Sequence, residues 1–117
     1  MTYQPGLHII GELLVPETEL LTGYAHAKTC VDRLIREHAL TNLGEVYHNF
    51  SPGGFTAVIC LSESHISMHS WPEHNRLHMD VYLSNFSKNN DAITTAVFQE
   101  LVNCFNATIL NRQQIRR

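Results

Sequence analysis

Residues 77–84 alternate without a break: Leu77, Met79, Val81 and Leu83 are apolar, and His78, Asp80, Tyr82 and Ser84 carry polar groups. Successive side chains of a strand point to opposite faces, so this segment has one greasy face and one wet face and belongs in a sheet covered on a single side. The cover must come from elsewhere in the chain. Leu20, Leu21, Tyr24, Val31, Leu34 and Ile35 recur at three-and-four spacing, with Lys28, Asp32, Arg33 and Arg36 opposite, which predicts an amphipathic helix after Pro16. A second helix is predicted behind the capping candidates Asn89, Asn90 and Asp91, with Ile93, Val97, Leu101, Cys104 and Phe105 as its stripe. Further strands are predicted at 7–15, 43–50 and 55–62 and a short one at 107–111, and Ser51-Pro52-Gly53-Gly54 is the strongest turn signal. Hairpin-linked strands and two one-sided helices predict an α+β fold, a mostly antiparallel sheet with both helices packed on one face.

The 117 residues argue for one domain, 1–117, without internal repeat or linker. A net charge of −3 and a pI near 6.2 leave no footprint for nucleic acid, and Arg112, Arg116 and Arg117 read as a solvated tail. The longest apolar run, 57–61, is far short of the ~20 residues a membrane span needs, so no membrane association is expected. Nothing resembles a secretory leader, and Cys30, Cys60 and Cys104 are an odd set at wide spacing. Together these point to a cytoplasmic chain with reduced thiols, Cys60 being a small core hydrophobe in its strand.

The chemistry is concentrated in residues 61–73, Leu-Ser-Glu-Ser-His-Ile-Ser-Met-His-Ser-Trp-Pro-Glu, where hydroxyls and imidazoles crowd what should be mid-sheet. Polar groups there need partners. Zinc binding by His65, His69, His74 and His78 is disfavoured, because on a strand His65 and His69 stand roughly 13 Å apart, too far to share one ion. A hydrolase built on Ser64 or Ser67, a histidine and Asp80 lacks the Gly-x-Ser-x-Gly elbow. The plain alternative is a sheet face with satisfied polar residues, the reading applied to His8, His26, His38 and His48.

Glu63-Ser64-His65, then His69, then Trp71-Pro72-Glu73 resembles the self-processing segment of the prokaryotic S-adenosylmethionine decarboxylases, small pyruvoyl-dependent enzymes of polyamine synthesis. Gly6-Leu7-His8 to Glu12 resembles the family's first strand, and His48 to Phe50 with Pro52 its second strand and turn. The resemblance implies a two-layer α/β sandwich and self-cleavage before Ser64 into a β chain, 1–63, and an α chain, 64–117. It implies that Ser64 Oγ attacks the Glu63 carbonyl in an N-to-O acyl shift, that His69 removes the α-proton, and that Thr56 assists processing with its hydroxyl. The pyruvoyl group so formed from Ser64 would be the cofactor, engaging the substrate amine as a Schiff base and acting as electron sink. Glu73 would bind the ribose hydroxyls and Phe50 would stack on adenine. Homodimers pairing sheet against sheet are implied as well, with catalytic residues drawn from both protomers.

Two features qualify the transfer. Ser84 stands where the family carries the cysteine that protonates the product carbon, and His74-Asn75-Arg76-Leu77-His78 replaces a stretch usually rich in Gly and Ala. Loss of a positioned general acid costs ~10²- to 10⁴-fold. Strict alternation also puts Ser64 and His69 on opposite faces, so their meeting would need a turn or bulge between them. An arginine or ornithine decarboxylase, with Glu73 and Asp80 facing the cationic group, and an inactive paralogue that binds ligand or an active subunit both stay open.

Overall fold

In the computed structural model, which describes residues 2–117, six strands form one sheet in the order β2-β3-β4-β5-β1-β6. The strands are β1 (Leu7–Leu14), β2 (Asn42–Asn49), β3 (Phe55–Leu61), β4 (Ser64–Trp71), β5 (Arg76–Leu83) and β6 (Thr108–Arg116), and every neighbouring pair is antiparallel. Helices α1 (Ala25–Glu37) and α2 (Asp91–Cys104) close one face, where Ile9, Leu13, Ile59, Ile66, Leu77, Met79, Val81 and Leu83 meet Val31, Leu34, Val97, Phe98, Leu101 and Phe105 in one core. The α+β reading with both helices on one face therefore holds. Gly11 is where α2 comes closest to the sheet: a Cβ there would lie 2.6 Å from the Phe98 ring, so only a hydrogen lets the ring pack flat on β1.

The alternation of 77–84 is realised in β5, whose apolar members are buried while Arg76, His78, Asp80 and Tyr82 face away from the helices. Among the described residues, no layer covers the other face of the sheet.

Several expectations need correction. Leu20 and Leu21 lie in a 3-10 turn, Thr18–Leu21, and the helix proper begins only at Ala25. The basic tail is strand: β6 runs along β1, Arg116 pairs with Asp91 at 2.7 Å, and the Gly6 and Arg117 main chains bond to each other. An edge strand exposed on both sides has no hydrophobic period to betray it. Cys60 is exposed rather than a core residue, because Phe55, Ala57, Ile59 and Leu61 take the inner face of β3 and an all-apolar run conceals that alternation. Cys30 and Cys104 are joined by a disulfide that ties α1 to α2, not held as separate thiols; a separation of 74 residues hides the packing of the two helices. Among the described residues no helix is long and apolar enough to cross a membrane.

Candidate active site

The uncovered face is ruled into rows by the strand register. Thr56, His69, His78 and Glu12 are cross-strand partners in succession from β3 to β1. Val58, Ser67, Asp80 and Ile10 form the next row, and Cys60, His65, Tyr82 and His8 the third. Rows two residues apart are roughly 6.6 Å apart along the strands.

At the third row the β3–β4 hairpin turns through only Ser62 and Glu63, so Ser64 opens β4 directly after the tip. Ser64 has φ +148°, a region other residues than glycine enter at a cost of ~1–3 kcal/mol. The carbonyl of Glu63 accepts a 2.6 Å hydrogen bond from the Ser84 N–H at the end of β5. On the other side of the junction, Ser64 Oγ lies 3.0 Å from His65 Nδ1. Ser84 is itself held by the following loop. Asn90 Nδ2 donates to its carbonyl at 2.8 Å, Asn85 Oδ1 accepts from the Asn90 N–H at 2.6 Å, and Asn85 Nδ2 donates to Asp91 at 3.0 Å. Asn90 thus spends its side chain on Ser84 rather than on capping α2.

His8, first read as an ordinary histidine, belongs to this end. It is buried, its ring centroid 5.3 Å from that of Tyr82 and 5.9 Å from that of His65, and burial chiefly pushes its pKa down. Asp80 opposes that shift, while Arg117 and His65 add to it. Its Nδ1 accepts from the Arg117 guanidinium at 3.3 Å, and its buried Nε2 has no partner among the described residues. A cleft of about 380 Å³ opens beside Ser84, walled by Tyr3, Tyr82, Phe86 and Arg117.

The first row carries a second cluster. His69 stacks near Phe50 (5.7 Å) and Trp71 (4.9 Å), Trp71 faces His78 (6.4 Å), and His78 Nε2 is 3.6 Å from Glu12. Thr56 stands directly across from His69 and donates to the Met68 carbonyl at 3.4 Å. Glu73 is exposed in the 3-10 turn Pro72–His74 just beyond. Between the clusters, Ser67 Oγ donates to Asp80 at 3.2 Å.

The structure therefore groups the expected residues in two sets and does not unite them. Glu63, Ser64 and Ser84 are at one end; Thr56, His69, Phe50 and Glu73 are at the other. β4 is regular from Ser64 to Trp71, with no bulge against either neighbour, so Ser64 and His69 are roughly 16 Å apart along the strand and alternate to opposite faces. Within one chain His69 does not reach Ser64. Sequence reasoning missed the main chain of Ser84, the Asn85–Asn90 brace and His8, because these act through hydrogen bonds and packing that only the fold creates; the Asn-rich stretch before α2 was the one available signal. The remaining histidines first set aside are ordinary: His26 bonds the Cys104 carbonyl at 2.8 Å, His38 meets Glu100 at 2.9 Å, and His48 is exposed. Among the described residues, the His/Cys/Asp/Glu group spaced closely enough for a metal ion is His26, Cys30 and Cys104, on the helical layer, and its two sulfurs are bonded to each other.

Comparison with known proteins adds to this geometry. A family model described as S-adenosylmethionine decarboxylase matches residues 7–117. An S-adenosylmethionine decarboxylase proenzyme of Archaeoglobus fulgidus is 35% identical over 77 residues, 66% of this chain and 69% of that protein. One of Sulfurihydrogenibium sp. is 39% identical over 77 residues, and there the match spans only 58% of the relative's length. The proenzyme of Thermoplasma acidophilum is 28% identical over 112 residues, 96% of this chain and 82% of its own. The crystal structure of adenosylmethionine decarboxylase from Aquifex aeolicus superposes with a TM-score of 0.80 at 23% identity, covering 99% of this chain and 91% of that one, a likeness of fold.

Proposed function

The chain belongs to the S-adenosylmethionine decarboxylase family, and we propose that it is the self-cleaving precursor of a pyruvoyl-dependent decarboxylase acting on S-adenosylmethionine, which supplies the aminopropyl donor for polyamine synthesis. The observation that carries this reading is the Glu63–Ser64 junction. A strained serine follows a carbonyl already hydrogen-bonded to the Ser84 N–H. Addition of Ser64 Oγ to that carbonyl carbon places negative charge on the Glu63 oxygen, where the Ser84 N–H stabilises it, and rupture of the peptide bond releases the backbone strain. The products would be the chains 1–63 and 64–117.

The site fits a pyruvoyl group at position 64, because the serine that would be converted sits at the hairpin tip, and Ser84, whose N–H holds the preceding carbonyl, lines an open cleft. When formed, that group supplies a ketone that engages the substrate amine and draws electron density away as carbon dioxide leaves. The chain's own residues do the rest. Phe50, 40% exposed, offers a ring to stack on adenine, and Glu73 offers two carboxylate oxygens to a ribose diol. In this reading the Ser84 hydroxyl would be the proton donor to the product carbon, a weaker acid than a thiol.

Phe50, Thr56, His69 and Glu73 are at the wrong end of β4 to serve the Ser64 of their own chain, which supports a homodimer. Two sheets packed open face to open face about a two-fold axis near the Ser67–Asp80 row would lay the Ser64 end of each β4 over the His69 end of the partner's. Exposed Val58, Trp71 and Ile115 on that layerless face are apolar surface such packing would bury.

Intact mass tests the cleavage: incubation of the full chain is expected to give fragments 1–63 and 64–117, the latter having lost ammonia, whereas a permanently intact chain excludes the cofactor. Carbon dioxide release from S-adenosylmethionine, arginine and ornithine, supplied in parallel, decides the substrate. Co-expression of Ser64→Ala and His69→Ala chains tests the shared site. Cleavage of the His69→Ala chain is expected only in the mixture, and its absence there counts against the dimer.

A further inference from the structure

The cleavage step needs a base for the Ser64 hydroxyl, and the roles above leave none. His69 is excluded within the chain by roughly 16 Å of regular strand and, wherever it acts, is assigned to the later α-proton. Thr56 is its cross-strand partner and has no basic atom. Asp80 is one row away, engaged by Ser67. Glu63 directs its carboxylate to the Thr41 N–H at 3.4 Å.

We propose that His65 is the general base of the acyl shift: its Nδ1, 3.0 Å from Ser64 Oγ, takes the hydroxyl proton as Oγ adds to the Glu63 carbonyl carbon. The contact is within the reach that general-base catalysis requires. The step balances without another reagent. A C–O bond forms and the Glu63–Ser64 C–N bond breaks; the proton goes from Oγ to Nδ1 and then to the departing Ser64 nitrogen, which becomes the free amine of an ester. Nucleophile, base and oxyanion donor are then three groups on one hairpin and its neighbour: Ser64 Oγ, His65 Nδ1 and the Ser84 N–H.

The surroundings of His65 fit the task. Tyr82 flanks its ring edge-on at 5.9 Å and His8 packs against it at the same distance, which limits the rotations that would carry Nδ1 away from Ser64. Nδ1 accepts only in the tautomer with hydrogen on Nε2. The titratable and charged groups that face it are Cys60 across β3, Tyr82 across β5, His8 on β1 with Arg117 of the C-terminal end behind it, and Glu63 in the turn. None of these carboxylates or cations bonds the imidazole itself among the described residues.

This assignment rests on the self-cleavage reading, and the test separates the two. Purified full-length chains, wild-type, His65→Gln, His65→Ala and His69→Ala, are incubated with and without hydroxylamine, which severs an ester but not the peptide bond, and sampled by intact mass. The His69→Ala chain is expected to accumulate an ester and release 1–63 as its hydroxamate. The His65→Gln chain is expected to form ester ~10²- to 10⁴-fold more slowly than wild type, and added imidazole should restore ester formation in His65→Ala, a rescue that a packing role would not give. Far-ultraviolet circular dichroism is expected to show both His65 variants folded. Wild-type-like ester formation in folded His65→Gln, or no imidazole rescue of folded His65→Ala, overturns the proposal while leaving cleavage intact. A wild-type chain that forms neither ester nor fragments overturns both.

Discussion

Replacing Ser84 by proline deletes one atom group that matters to the Glu63–Ser64 junction, the N–H that donates to the Glu63 carbonyl at 2.6 Å. If that bond holds the developing oxyanion, its loss should slow cleavage by ~10²–10³-fold, or ~2.7–4 kcal/mol in the barrier, the usual effect of removing one oxyanion donor. The ground-state cost is smaller. One main-chain hydrogen bond is worth ~0.5–1.5 kcal/mol, a fall in Tm of roughly 2–9 °C for a domain of this size. The contrast with Ser84→Ala is decisive, because alanine keeps the N–H and discards the hydroxyl. Cleavage, followed on denaturing gels from a freshly refolded precursor, should be near wild-type rate in Ser84→Ala and nearly absent in Ser84→Pro, with far-ultraviolet circular dichroism showing both folded. A folded Ser84→Pro chain that cleaves within threefold of wild type would refute the idea that this donor stabilises the transition state.

Gly11→Ala should destabilise the fold by ~1–3 kcal/mol in urea unfolding, since its Cβ would meet the Phe98 ring at 2.6 Å and α2 would have to lift. His8 is held below the ordinary imidazole pKa chiefly by burial, so the native chain binds fewer protons here than the unfolded one. The stability this contributes is fully present above about pH 6.5 and is lost as pH falls through the native value; urea midpoints should drop on acidification, and less so in His8→Gln. Reducing the Cys30–Cys104 bond, which closes a loop across 74 residues, should cost ~2–4 kcal/mol of stability, matched by Cys30→Ser, with no such change in Cys60→Ser.

Local pattern alone carried a good part of the architecture. The alternation of β5, the stripes of α1 and α2 and the Ser51–Gly54 turn are properties of residues a few positions apart, and a period of 2 or 3.6 is a local quantity. Where both faces of a strand are alike, as in exposed β6 or the apolar run 57–61 of β3, there is no contrast to read, which is why local pattern does not place Arg112, Arg116 and Cys60. The chemistry divides along the same line. Glu63, Ser64 and His65 are neighbours in the chain, so the residues of the cleavage motif could be named from the sequence. Which atoms meet could not. That Ser84 offers its main chain to Glu63, that Cys30 meets Cys104, and that Ser64 and His69 stand on opposite faces at a distance all follow from strand register and helix packing. Register is set by cooperative burial of the whole inner face, because a slip of one residue would turn every core side chain outward, and no short window of sequence contains that constraint.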